Sequence, residues 1–326
     1  MVLHVASKDW FSGDVHTFEW QVLNFWRGSI FNWGVPVFLM ISGALFLSRD
    51  IPVRKIYGKY IFRIFTALVF WSFIYGCADY AVNSNTLQAL AHFVNGHYHM
   101  WFLFMIMGLY ALHPFMKKIA ASRFLTKYFL VIAFFFAFLF PEAVNFISLF
   151  SEEGGKFLHR WVNHFYLQFA GGFTGYFLLG FLLNNTKFSA KAKRTIYFLG
   201  IISAIAGMLL SVTGSMIKNA PYGHFNDYHT VNILLESSAI FVFFKSKFNH
   251  PVKIIRKLSE YSFGAYLIHP AFVNIVGRLV VGRLGLKALT FTPVISVPLT
   301  TAIVFLLSFG ISAVLNHIPV IKKYIV

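Results

Sequence analysis

The sequence predicts an all-α bundle of membrane-spanning helices, and three observations carry that prediction. The first is composition: of 326 residues, 58% are hydrophobic and 12% charged, with a mean hydropathy of +0.67. A soluble domain carries about 25% charge, and half that number leaves large apolar patches on any water-facing surface. The second is the length of the apolar runs. Thr195–Ile217 holds no charge, His, Asn or Gln, and Ala288–Leu315 shows no polar stripe. Helices of soluble cores average roughly 11–12 residues and do show one. Neither run alternates with a period of two, which excludes a β-barrel. The third is charge placement. Lys and Arg number 28 against 11 Asp and Glu, and 20 of the 28 fall in every second link between apolar segments. That is the pattern that orients membrane helices, so the net charge of +17 calls for no nucleic acid. No Gly/Pro/Ser-rich linker divides the chain, and one domain over 1–326 is expected. Cys77 is the single cysteine, so there is no intrachain disulfide framework.

Met1–Lys8 starts apolar, without a charged flank or cleavage site, so it is no signal peptide and reads as the outer end of a spanning helix. Asp9–Arg27 is polar and aromatic; its Trp10, Phe11, Trp20 and Trp26 suit a sugar face or the lipid headgroups. Gly28–Leu47 is the second segment, with Pro36 expected to kink it and Ser42 and Gly43 to admit a close neighbour. The basic stretch Ser48–Lys59 precedes segment three, Tyr60–Tyr80. Segment four is His97–Lys118, HYHMWFLFMIMGLYALHPFMKK. Segments five to nine are Tyr128–Phe146, His164–Leu183, Thr195–Ile217, Val231–Phe244 and Ser259–Leu279, and the tenth lies within Ala288–Leu315. The alternation of basic links places both ends in the cytoplasm and demands an odd number of crossings before Gly28. A crossing takes about 20 residues. Met1–Lys8 is therefore expected to be the remnant of a first helix truncated at its N-terminus, through a shortened chain or a misplaced start codon.

Ionisable groups in a bilayer are costly and are kept for function or for pairing inside the bundle. Here they are His4, His97, His99, His113, Glu236 and His269. A neutral imidazole can take the proton of a hydroxyl as it attacks, which suits acyl transfer to a sugar alcohol; interhelical hydrogen bonding is the alternative for each. His113, beside Pro114 and Lys117-Lys118, reads as a cap or an interfacial group. The basic set Arg49, Arg54, Lys55, Lys59 and Arg63 orients the chain, and its arginines match the phosphates of an anionic donor. No GxGxxG, P-loop, HExxH or cysteine-ligand pair occurs, so neither a nucleotide fold nor a metal is expected.

Four strings then carry a resemblance: MVLHVA at the start, VPVFLMISGALF, HMWFLFMIMGLYALHPFM and LSEYSFGAYLIHPAF, with YFLLGFLL (176–183) as a weaker fifth. In order and spacing they resemble acyltransferase family 3, the integral-membrane O-acetyltransferases of bacterial surface and exported polysaccharides. The resemblance covers nearly the whole chain and implies ten transmembrane helices in the bacterial inner or plasma membrane. It also implies transfer of an acyl group, usually acetyl from cytoplasmic acetyl-CoA, to a hydroxyl of a glycan or lipid-linked sugar. His4 corresponds to the family's essential first-helix histidine. The arginine that precedes it by eleven positions falls before Met1, where this sequence departs from the pattern. His99 and Trp101 match family positions, and the turn holding Arg49, Arg54 and Arg63 is where the family would meet the coenzyme. His269 fits the closing motif, with Tyr266 or His269 as a donor to an oxyanion and Trp10, Trp20 and His99 along the sugar's approach. An acyl-histidine relay is an open variant. The competing class is a transporter or flippase of a polysaccharide precursor, for which no internal repeat speaks. Acyl group, acceptor and oligomeric state are left open.

Overall fold

The computed structural model describes residues 1–28, 31–167, 171–248, 250–283 and 292–326, and every regular element among them is helical. α1 (Val2–Trp10) packs on α2 (Phe18–Arg27). α2 starts at Thr17, whose hydroxyl accepts from the Trp20 N–H, and Glu19 in the first turn complements the helix dipole. The aromatic stretch thus folds inward: Trp10 and Trp20 are 1% and 0% exposed.

α3 (Gly34–Leu47) has 14 residues, fewer than the segment expected from Gly28 on; residues 29 and 30 lie outside the described ones. Pro36 falls in its first turn, where an N–H has no intrahelical partner to lose. It starts the helix rather than kinking it. α4 (Val53–Lys55), a π-helical turn at Ile56–Ile61 and α5 (Phe62–Asn83) form one rod. α6 (Thr86–Asn95) ends at Gly96, whose φ of 75° lies in the left-handed region open to glycine. The chain then enters a 3-10 turn, Tyr98–Met100, and continues as α7 (Trp101–Ala111) and α8 (His113–Ala120). Segment four is therefore bent, by 58° between Leu90–Ala111 and His113–Ala120. Pro114, in the first turn of α8, accounts for the break.

α9 (Arg123–Ala133), a π-helical turn at Phe134–Leu139 and α10 (Phe140–Phe150) make a second rod, and α11 (Glu152–Asn163) packs back on it. Where a span from His164 was expected, α12 (Phe173–Asn185) starts only after Gly172, held at φ 64°; residues 168–170 lie outside the described ones. α13 (Ala190–Lys218) buries a stripe of small residues, among them Gly200, Ser203, Gly207 and Ser211, against α14 (Val231–Lys247) and its other neighbours. α15 (Lys253–Arg283) contains Pro270; α16 (Pro293–Leu315) and α17 (Pro319–Tyr324) close the chain. The expected start of segment ten, 288–291, lies outside the described residues.

Among the described residues four helical rods are long and apolar enough to cross a membrane: Val53–Val82, Arg123–Phe150, Ala190–Lys218 and Pro293–Leu315. The bent pair makes a fifth if it counts as one span. Between 17% and 33% of each rod's apolar window is buried, so most of that surface faces outward, as lipid contact requires. Inside them sit α3 and α12. A Cβ on Gly43 would strike the Phe177 carbonyl, and one on Gly180 would strike the Met40 backbone, so the glycines set how closely the two helices approach. Each C-terminus is capped by a lysine. Lys117 Nζ donates to Leu47 O (2.9 Å) and Arg49 O (3.3 Å), and Lys245 Nζ to Leu183 O (2.7 Å) and Thr186 O (3.0 Å).

Candidate active site

Imidazole side chains gather where α1, the turn after Gly96 and α15 meet. Gly96 turns the chain inward, and His99 lands 2% exposed behind it. His97 and His99 share a hydrogen bond between their Nδ1 atoms at 2.9 Å, one ring donating and the other accepting. On α15, Pro270 has no N–H, which leaves the carbonyl of Tyr266 without its helical donor. His269 supplies one: its Nδ1 lies 2.7 Å from Tyr266 O. The carbonyl can only accept, so Nδ1 carries the proton and Nε2 is left with its lone pair. His269 is 3% exposed, and its Nε2 has no hydrogen-bond partner. A buried nitrogen with an open lone pair can accept a hydrogen bond from a ligand's polar group.

His4 completes the cluster from α1. Its ring centre lies 5.1 Å from that of His269 and 5.4 Å from that of Tyr98, and His99 lies 5.6 Å from His269. Two tyrosines pin the frame. Tyr266 donates to His99 O at 2.6 Å, and Tyr75 donates to Leu267 O at 2.8 Å.

The family model described as the acyltransferase domain of acyltransferase family 3 matches residues 1–317. The chain belongs to that family. No curated protein and no solved structure matches it.

In this acyltransferase the expected residues are distributed as follows. His4, His99, His269 and Tyr266 come together, although they are separated by up to 265 positions in the chain. Trp101, two residues after His99, lies on an aromatic shelf: it stacks on Tyr228 at 5.6 Å and faces Phe173 at 5.6 Å. Phe173 in turn meets His229 at 4.7 Å, on the rim of a groove of about 400 Å³ lined by Asn145, His159, His224 and Asp227. Burial pushes the Asp227 carboxyl up, but hydrogen bonds from the His229 side chain and backbone outweigh this and hold it below its ordinary range. Trp10 is placed otherwise: its Nε1 donates to Asn24, Trp20 stacks on it, and the Arg27 guanidinium sits 3.8 Å from its ring centre.

Arg49 and Arg54 are exposed. Arg63 borders a cavity of about 190 Å³ whose walls are Phe38, Tyr60, Phe102 and Tyr110. Phe102 touches Tyr266 at 5.8 Å, which puts one aromatic ring between the Arg63 cavity and the histidine cluster. His113 accounts for itself locally, its Nε2 lying 3.1 Å from Phe46 O at the end of α3. Glu236, in the middle of α14, is 6% exposed, with no hydrogen-bond partner at Oε2. Among the described residues no set of three His, Cys, Asp or Glu side chains is arranged to hold a metal ion. Tyr75, Tyr98 and Pro270 were not singled out from sequence; for Pro270 the signal was there, in the His-Pro step at 269–270.

Proposed function

We propose that the chain is a membrane O-acyltransferase that moves an acyl group, acetyl in the expected case, from cytoplasmic acyl-CoA to a hydroxyl of a cell-surface glycan or lipid-linked sugar. One observation carries the reading: three histidines from separate elements converge in one cluster, with the Nε2 of His269 left to accept a hydrogen bond. Such a site can hold a hydroxyl and take its proton.

The donor enters beside Arg63, whose guanidinium meets phosphate, with Arg54 and Arg49 further out. Its acyl-thioester end lies along the aromatic cavity toward Phe102. The acceptor sugar crosses the shelf of Trp101, Phe173 and Tyr228, where ring faces suit the apolar face of a pyranose. His4 accepts the proton of the attacking hydroxyl as its oxygen attacks the thioester carbonyl, and His269 Nε2, which can only accept, takes a hydrogen bond from a second hydroxyl of the sugar. The bond from carbon to sulfur breaks and the electron pair leaves on sulfur. His269, with its proton fixed on the far nitrogen, is built to accept a hydrogen bond rather than to donate one to an oxyanion. In this reading the bundle is a single domain with ten crossings, both ends are cytoplasmic in the full-length form, and the membrane is a bacterial inner or plasma membrane. The direct test is to incubate membranes containing the protein with labelled acetyl-CoA and a panel of surface glycans. Label in the glycan supports transfer. Glycan movement across the membrane without label points to a transporter and sinks the proposal.

A further inference from the structure

The groove beside His229 has a second lobe. The first, of about 400 Å³, is lined by Asn145, His159, Asn163, His224, Asp227 and His229. The second, of about 490 Å³, shares Val144, Asn145, His159 and His224 with it and runs on to Ser148, Lys156 and Tyr222. Together they make one trough between α10, α11 and the link 219–230, and it begins at the shelf, where Phe173 meets both Trp101 and His229. Its polar side chains are already held in place. His229 Nδ1 lies 3.3 Å from an Asp227 carboxylate oxygen, which can only accept, so Nδ1 carries the proton and Nε2 of the neutral ring keeps its lone pair. Gly172 leaves room at that nitrogen: a Cβ on it would sit 3.0 Å from Nε2. Asn145 Nδ2 donates to His224 O at 3.2 Å, and the His224 ring packs on Tyr222 at 4.7 Å. In the far lobe Glu152 and Lys156 pair at 2.7 Å, with Lys218 beside them.

We propose that the trough binds the acceptor as a chain of several sugars, running from the reacting ring at the Trp101 shelf out to Lys156. The inference rests on the acyl-transfer reading of the same site, and it selects an assembled glycan chain over a single lipid-linked sugar. Size is the first argument. Each lobe alone has the volume that takes a drug-sized ligand, so one sugar ring fills neither. Chemistry is the second. A glycan presents hydroxyls along both edges and apolar ring faces between them. The trough answers with amides and imidazoles that donate or accept, and with the rings of Phe136, Phe173 and Tyr222. These groups hold one another before a ligand arrives, which lowers the ordering cost of binding. Sidedness is the third. In the ten-crossing arrangement the links 148–160 and 219–230 lie on the outer face, where an assembled surface chain is found. The reaction that supplies this acceptor is then the glycosyl transfer that lengthens the chain, and acylation follows it.

The test is acceptor length. The purified full chain in detergent, with both faces accessible, is given labelled acetyl-CoA and partial hydrolysates of the surface glycans, sorted by length from the single sugar upward. For the wild type, kcat/KM should rise about tenfold or more with length, mainly through KM, and then level off once the trough is full; tenfold is the value of one or two hydrogen bonds. His159→Ala and Asn145→Ala should each shrink the ratio between long and single-sugar acceptors. Their effect thus falls on the gain from length, which a general loss of structure would leave proportionate. The His159 ring is exposed, so that variant decides if Asn145→Ala does not fold. A binding readout stands beside the kinetics. With Cys77 replaced by Ala, Lys156→Cys puts a thiol in the far lobe, and long acceptors should slow its reaction with a maleimide where the single sugar does not. A wild type that turns over the single sugar as well as the longest chain, variants that lower every acceptor in proportion, or a thiol that no chain protects overturns the trough and leaves acyl transfer in place. A wild type that labels no acceptor of any length removes the acyl-transfer reading, and the trough falls with it.

Discussion

A proline sets the tautomer of a histidine here. Pro270 withholds an N–H, Tyr266 O is left open, and His269 Nδ1 fills the gap, fixing which nitrogen faces the cluster. His4 has a ring neighbour but no such fixed bond, which fits a group whose proton comes and goes. Replacing His4 by Ala should therefore lower acetyl transfer by about 10²–10⁴-fold, the usual worth of a general base, while the protein still inserts. Label incorporation above a tenth of wild type would remove His4 from that role. Arg63 is argued from the same scale. Its Nη2 donates to the backbone oxygen of Val326 at 2.7 Å, which leaves the rest of the fork for an anion at the cavity mouth. Arg63→Ala should raise KM for acetyl-CoA by about 10–100-fold, the value of one charge-assisted contact, with kcat near wild type. Arg63→Lys should recover part of it, because an ammonium lacks the planar fork. The histidines were legible in the sequence because so few ionisable groups interrupt its apolar runs. Trp10 was not: a tryptophan in a polar stretch reads as a surface ring, and only the fold shows Asn24, Trp20 and Arg27 already covering it.

Among the elements, the pair α3 and α12 is the one on which the others lean. Both are short, both lie at the centre of the largest apolar cluster, and glycines let their backbones approach as far as carbonyl contact. Gly43→Ala should cost about 1–3 kcal/mol or more, because the new methyl meets backbone at Phe177 and has nowhere to move. Gly108→Ala in α7 is the control: no atom lies within 4 Å of its Cβ position, and the change should be neutral or stabilising by up to about 1 kcal/mol. Thermal unfolding of the two variants in one detergent should separate them by several degrees. Equal midpoints would show that the approach is not tight. Ser42 and Gly43 were rightly read as permitting a close neighbour, since small residues in an apolar run have few other uses. Where the helices end was harder to see. Apolar composition reports immersion, not length. The starts of α3 and α12 depend instead on a proline in a first turn and on Gly172 at positive φ, which hydropathy does not register.

For the molecule as a whole, the open arithmetic is between rods and crossings. α12, at about 20 Å, is shorter than a hydrocarbon core of roughly 30 Å, and α14, at about 26 Å, barely approaches it. Yet Tyr176, Phe177 and Leu178 are 0% exposed, so α12 touches protein rather than lipid and need not match the bilayer by itself. In the proposed ten-crossing arrangement both helices help to cross: the basic cluster Lys187–Arg194 lies beyond the C-terminal end of α12, and Lys245–Lys257 begins in the last turn of α14 and runs past it. Two pairs of positions decide it. If α12 contributes a crossing, Lys156 and Lys191 lie on opposite sides; if α14 does, so do Lys218 and Lys257. With Cys77 first replaced by Ala, single cysteines at these four positions can be treated in intact cells with a maleimide that does not cross membranes. Lys156→Cys and Lys218→Cys should label from outside, and Lys191→Cys and Lys257→Cys only after the cells are opened. Labelling of both members of either pair from one side would strike out that crossing, and with it the even count that puts the two ends in the cytoplasm. It would also put Arg63 in question as the coenzyme's entrance, since the sidedness of the donor cavity is read from the same alternation of charge.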